Sequence, residues 1–340
     1  MNVFDTDNII CDETVVFVKS DIPRADLLFE VSEILKVCDS AGEVFYEKGK
    51  DYEFQSRAVY LVEGSRIPFI EEHQMFPCAG AENSIPLHVD GRRNVLFSEG
   101  SLFPDLQPRF TYRVAGLNKQ PAMIHAGKLH IAEKYLKAGR ELTLAIFGDS
   151  ISEGASATKC VGIPPYLEPY GRQLARELES AYDIKIKLHN ESVGGKCSSW
   201  GLQSIDRVVM HRPDLVILAW GMNDASYLTT PEVFGENIKK MMQTLTAANP
   251  EVEFVLVSTM CGNPDWGSSH AKAYREYREK LIELCGDGTA LADMTSVWEF
   301  MLERKKFIDI SGNGVNHPND FGHSIYKKVL FSILSNTTQM

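Results

Sequence analysis

The chain has 340 residues, 44% of them hydrophobic and 24% charged, which is the composition of a soluble globular protein with room for sizeable cores. Its formal net charge of -11 argues against a nucleic-acid backbone as partner, because binding phosphates calls for clustered Lys and Arg. No run approaches the roughly 20 apolar residues of a membrane span, and the first twenty residues, with Asp7, Asp12 and Glu13, lack the basic start of a secretory signal.

Residues 1 to about 117 are expected to be mostly β. Short apolar runs occur at Thr14–Val18, Leu27–Val31, Ala58–Val62 and Phe110–Val114, and Glu43–Glu47 with Tyr52–Phe54 resembles a hairpin. Many short strands spaced by turns suggest a sandwich or jelly roll, although 31–37 also suits a helix. A connector with Gly116, Asn118, Pro121 and Gly127 follows, then helical spacing of Leu129, Ala132 and Leu136 capped by Gly139. The expected division is 1–125 for a β-rich domain and 126–340 for a second domain.

From residue 140 strands alternate with helices. Leu142–Phe147, Leu215–Trp220 and Phe254–Val257 are continuous apolar strands, and Ile184, Ile186 and Leu188 alternate with lysines. Helices are marked by Tyr170, Leu174 and Leu178, and by Phe234, Ile238, Met242 and Leu245 behind a Thr230-Pro231 start. Two more follow at Tyr274, Tyr277, Leu281 and Leu284, and at Phe321, Ile325, Val329 and Ile333. This alternation predicts a parallel sheet covered by helices on both faces.

Four polar clusters follow strands or open helices in this half: Gly148-Asp149-Ser150, Asn190 to Gly195, Gly221-Met222-Asn223-Asp224, and Asn316-His317-Pro318. Any one alone suits a plain turn. Together on the C-terminal rim of a sheet they supply hydroxyl, backbone amide, side-chain amide and imidazole, which are the parts for acyl transfer. No metal-ligand spacing or phosphate-cradling glycine loop is present, so neither metal nor cofactor is expected. The seven cysteines are scattered without a C-x-x-C pair, which suits reduced thiols in a cytoplasm. Cys197 reads as a small buried filler. His323 reads as a helix-surface residue or a neighbour's partner, and Met260–Trp266 as a pocket lining or merely a loop.

These blocks, in this order, resemble those of the SGNH/GDSL hydrolase superfamily over roughly residues 140–335. The resemblance implies a flavodoxin-like three-layer α/β/α domain and a serine esterase. By position it makes Ser150 the nucleophile and His317 the base. The oxyanion hole would be the Ser150 and Gly195 backbone N–H groups with the Asn223 amide, and Asp149, Asn190 and Asp224 would support the loops. One departure stands out. The family usually has Asp three residues before the His, and here that residue is Gly314. Either Asp309 reaches in, or a main-chain carbonyl orients His317 in a dyad; some carbohydrate esterases of the superfamily resemble the second case and carry a β-sandwich ahead of the catalytic domain. The dyad is the favoured expectation. The expected substrate is a short acyl ester, acetyl above all, on a small molecule or oligosaccharide. The rivals are a lipase or thioesterase for longer chains and a catalytically decayed sugar-binding protein.

Overall fold

A computed structural model describes residues 4, 7–19, 22–116 and 120–336; Asn118 lies outside the described residues. The N-terminal part is strand-rich. In chain order it forms β1 (Ile9–Thr14), β2 (Phe17–Lys19), β3 (Arg24–Asp26), β4 (Val31–Cys38), β5 (Tyr52–Gln55), β6 (Ala58–Leu61), β7 (Phe69–Glu71), β8 (Ser84–Ile85), β9 (Val95–Leu96) and β10 (Arg109–Val114). One sheet has the order β1-β10-β4, a second the order β5-β6-β3-β2-β7, and β8 pairs with β9.

Three expectations need correction here. Residues 31–38 are a strand, because antiparallel pairing with β10 overrides the helical reading of Glu33-Ile34-Leu35-Lys36. The hairpin joins β5 to β6, turning at Ser56 with φ of 56°, while the 43–47 segment contributes a single bridge from Phe45 to Cys38. Leu27–Glu30 lies outside any strand, since β3 ends at Asp26.

The second part holds β11 (Leu142–Gly148), β12 (Ile186–Asn190), β13 (Leu215–Ala219), β14 (Glu253–Val257) and β15 (Thr289–Ala292), all parallel in the order β12-β11-β13-β14-β15. β11, β13, β14 and β15 bury every residue but Thr143, as a sheet covered on both faces must. The covering helices fall into two groups. Tyr170–Tyr182 packs on Asp320–Asn336, and Pro231–Ala248 packs on Ser198–Gln203 and Ala271–Leu284. The chain leaves β11 for β12 on one side and returns to β13 on the other, so the order reverses at β11. Loops diverge at such a reversal and leave a crevice. The register sets Ile146 opposite Asn190 and Gly148 opposite Ala219, which levels the ends of three strands at one rim.

The two parts meet across a buried seam around residues 305–319. Lys305 Nζ lies 2.5 Å from Glu13 Oε1, both side chains wholly buried, and Tyr112 donates to Glu13 Oε2 at 2.7 Å. Asn319 Nδ2 donates to Thr14 Oγ1 and Gln107 Oε1, each at 2.9 Å. Asp309 belongs to this seam. Its segment, Phe307–Ile310, forms a helical turn, which Lys306 N caps by donating back to the Asp309 carboxylate at 2.9 Å.

Candidate active site

β11 ends at Gly148, and Asp149 caps a single helical turn, Ser150–Glu153, by accepting from Ile151 N at 3.1 Å. The turn presents Ser150 at the rim. His317 Nε2 stands 2.9 Å from Ser150 Oγ, within hydrogen-bonding distance. Two residues separated by 167 positions are thereby joined, each about nine-tenths buried.

The second block is tied to the first and to the helical turn that follows it, Val193 N donating to Gly148 O at 3.1 Å. Asn190 Nδ2 donates to Ser152 O at 2.7 Å, and Gly194 N donates to Glu153 Oε2 at 2.9 Å. Gly195 has φ of 73° with open space where a Cβ would stand, so the residue is needed for its backbone angle alone. Asn223 is the second residue of the short helix Met222–Ser226 after β13, and its Nδ2 donates to Lys196 O at 2.9 Å. A side-chain amide carries two donors, and this bond uses one of them. Asp224 is buried and accepts from Ser198 N at 2.9 Å and Ser198 Oγ at 2.5 Å. Asp149, Asn190 and Asp224 thus all hold backbone of the rim loops. Burial pushes the Asp149 carboxyl up to about 7, against hydrogen bonds that favour its ionised form.

Neither expected partner faces the other imidazole nitrogen. Asp309 is wholly spent on the seam: its carboxylate accepts from Val16 N at 2.7 Å and Lys306 N at 2.9 Å, and its carbonyl accepts from Thr14 Oγ1 at 2.6 Å. Burial raises its carboxyl, opposed by the charges of Lys305 and Lys306. The group at His317 Nδ1 is the Glu99 carboxylate, with Oε2 at 3.3 Å, and not a main-chain carbonyl. Sequence reasoning missed Glu99, whose loop, Ser98-Glu99-Gly100-Ser101, has no feature that separates it from any turn. Gly314 was the signal available: it announces that an acid, if there is one, comes from elsewhere. Asn313 was also missed. It is fully buried, and its Oδ1 accepts from the backbone N–H groups of Val315, Asn316 and His317.

The remaining expectations divide. His323 is buried and not on a surface; Tyr170 N donates to its Nδ1 and its Nε2 lies 3.1 Å from Ala155 O, while desolvation pushes it down to about 4. Cys197 is only half-buried, at the N-cap of the Ser198–Gln203 helix with its sulfur beside Ser199 Oγ. The Met260–Trp266 loop is clamped: Asn263 donates through Nδ2 to Gly314 O and through its backbone to Val315 O, and Trp266 bridges to His88. Among the described residues no group of three or more His, Cys, Asp or Glu is placed to hold a metal, and no helix is long and apolar enough to cross a membrane.

A GDSL-like Lipase/Acylhydrolase family model matches residues 146–325, which includes all four polar blocks. The chain belongs to this family. It is accordingly a carboxylic ester hydrolase by class. Among solved structures it is similar to a two-domain esterase active on acetylated mannans, at 20% identity and a TM-score of 0.50, over 64% of this chain. The match spans only 57% of that esterase's own length. A lipase from a goat rumen metagenome (14% identity, TM-score 0.47, 56% of this chain and 97% of that one) is more distantly similar. So is a variant of an acetyl xylan esterase from Geobacillus stearothermophilus (16%, 0.43, 57% and 94%). No curated protein matches the chain.

Proposed function

We propose that the enzyme hydrolyses short acyl esters, acetyl above all, carried on a carbohydrate, through an acyl-enzyme at Ser150. The observation that carries this reading is the 2.9 Å approach of His317 Nε2 to Ser150 Oγ. Serine is a poor nucleophile until a base takes its proton during attack, and imidazole suits that task near neutral pH. The Ser150 proton passes to Nε2 as Oγ bonds to the ester carbon. The oxyanion is received by the Ser150 and Gly195 N–H groups and the Asn223 amide, and the proton then leaves with the alcohol. A polar rim of Glu99, Glu153, Asn223 and Asn316 suits a hydroxyl-rich leaving group and a small acyl group. The mannan and xylan esterases named above are in keeping with that choice of substrate.

One observation favours a second reading, a lipase for longer chains. A cavity of about 540 Å³ in the strand-rich part is lined by apolar side chains including Phe69, Ile70, Phe76, Leu96, Leu102 and Leu106. Leu96 and Leu102 flank Glu99 in sequence, so the cavity adjoins the segment that carries Glu99. Nitrophenyl esters of increasing length, alongside acetylated sugars, separate the two. Acetyl is expected to give the highest kcat/KM, and a maximum at eight carbons or more would make the lipase reading the right one. An organophosphonate probe is expected to label the protein once and to leave Ser150→Ala unlabelled; labelling of the Ser150→Ala protein would remove Ser150 from the mechanism.

A further inference from the structure

Position 314, where the family places its acid, is closed to any side chain. Gly314 has φ of 87°, and a Cβ there would stand 2.3 Å from the Leu96 carbonyl oxygen and 2.4 Å from the Phe103 ring. The segment from β9 to Phe103 thus fills the room a carboxylate at 314 would need. The same segment is pinned to the histidine loop, Ser98 N donating to Asn313 O at 3.2 Å, and one residue later it delivers Glu99.

The two oxygens of Glu99 are divided between two partners. Oε2 lies 3.3 Å from His317 Nδ1, and Oε1 accepts from Asn313 Nδ2 at 3.1 Å. Asn313 is the buried centre of the histidine loop, so the carboxylate is referenced to the same scaffold that fixes the His317 backbone. Partial burial works to raise the Glu99 carboxyl. The hydrogen bond and charge of His317, with the Asn313 bond, outweigh it and hold the group below the usual glutamate range. Glu99 is therefore an anion at neutral pH.

We propose that Glu99, supplied by the strand-rich part, is the carboxylate that positions His317, completing a Ser150–His317–Glu99 triad across the seam. This rests on the reading of Ser150 and His317 given above. His317 donates Nδ1–H to Glu99, which leaves the Nε2 lone pair aimed at Ser150 Oγ. When Nε2 takes the serine proton, the imidazolium keeps Nδ1–H and the unprotonated Glu99 stabilises its charge. The proton then passes from Nε2 to the departing alkoxide, and Glu99 gains and loses nothing.

The amide isostere gives a sharp test. In Glu99→Gln the Asn313 donor holds the glutamine oxygen, so the glutamine NH₂ faces Nδ1. Nδ1 must then accept, the proton sits on Nε2, and Nε2 cannot take the proton of Ser150. A buried triad carboxylate changed to its amide costs about 10⁴ in kcat. Glu99 keeps half its side-chain exposure, so water competes and the expected loss is about 10²–10³. Glu99→Ala lets water in and frees the tautomer, so its loss is expected to be about tenfold smaller than that of Glu99→Gln. KM and the melting temperature are expected to stay near the parent values in both. The proposal is overturned if both variants keep kcat within threefold of the parent while His317→Ala is inactive. Equal losses in the two variants with a matching fall in melting temperature would also overturn it, by making Glu99 a loop strut. If His317→Ala or Ser150→Ala itself retained turnover, the catalytic reading beneath the proposal would fall instead.

Discussion

Asp309 and Glu99 are both carboxylates of residues near His317, and they differ in almost every other respect. Asp309 precedes His317 by eight residues and is fully buried, whereas Glu99 lies 218 residues away and is half-exposed. The nearer one is occupied: backbone donors from Val16 and Lys306 take its oxygens. The distant one has an oxygen to spare for Nδ1. Closeness along the chain therefore says little about which acid serves a histidine. What decides is where the oxygens are held: those of Asp309 are fixed on backbone donors of the seam, whereas Glu99 turns one of its two toward Nδ1.

The largest expected effect lies at the seam and concerns stability alone. Removing one partner of a buried ion pair strands the other charge and costs about 3–5 kcal/mol. Lys305→Ala should lose about that much in urea denaturation while the folded fraction keeps its kcat. A loss under about 1 kcal/mol would mean that apolar packing, not the Lys305–Glu13 pair, closes the seam.

At the rim the expected pattern is the reverse. Asn223→Ala should lower kcat by roughly 10²–10³, about 2.7–4 kcal/mol of transition-state stabilisation, with the denaturation midpoint unmoved. Near-normal kcat would reduce Asn223 to a strut for the Lys196 carbonyl.

The smallest expected effect belongs to Asp309→Asn, whose kcat should fall less than tenfold; a thousandfold loss in a protein with intact circular dichroism would erase the contrast between the two carboxylates. Its pH signature is separate. A carboxyl raised above its unfolded value near 3.8 contributes most stability below that value and loses it as pH rises through the folded value. The parent's advantage over Asp309→Asn in urea midpoint should therefore be greater at pH 4 than at pH 8.

Much of the catalytic half was legible because its strands are continuous apolar runs and its reactive residues sit directly after them. Ser150, Gly195 and Asn223 follow β11, β12 and β13 within a few positions and Asn190 ends β12, so local reading finds them. β15 escaped because Thr289-Ala290-Leu291-Ala292 is short and weakly apolar, and the next helix, Met294–Leu302, is buried almost all round and shows no single stripe. In the strand-rich part register comes from partners far away in sequence. Nothing within 31–38 says that Arg109–Val114 will pair with it. Glu99 was illegible for the same reason. Its role arises from Leu96 and Phe103 filling the space over Gly314, which is a fact of packing and has no local signature.

The seam also has a consequence for how the enzyme comes into being. Val16 N and the Asp309 carboxylate that binds it are 293 residues apart, and Lys328 Nζ donates to Phe4 O across 324. Contacts of such separation form late, because a long loop must be closed before they return anything. A ribosome therefore makes the strand-rich part and Ser150 long before the histidine loop that joins them. On the proposed mechanism a chain that stops short of His317 lacks its base, so Ser150 waits for a loop made 167 residues later to dock beside it.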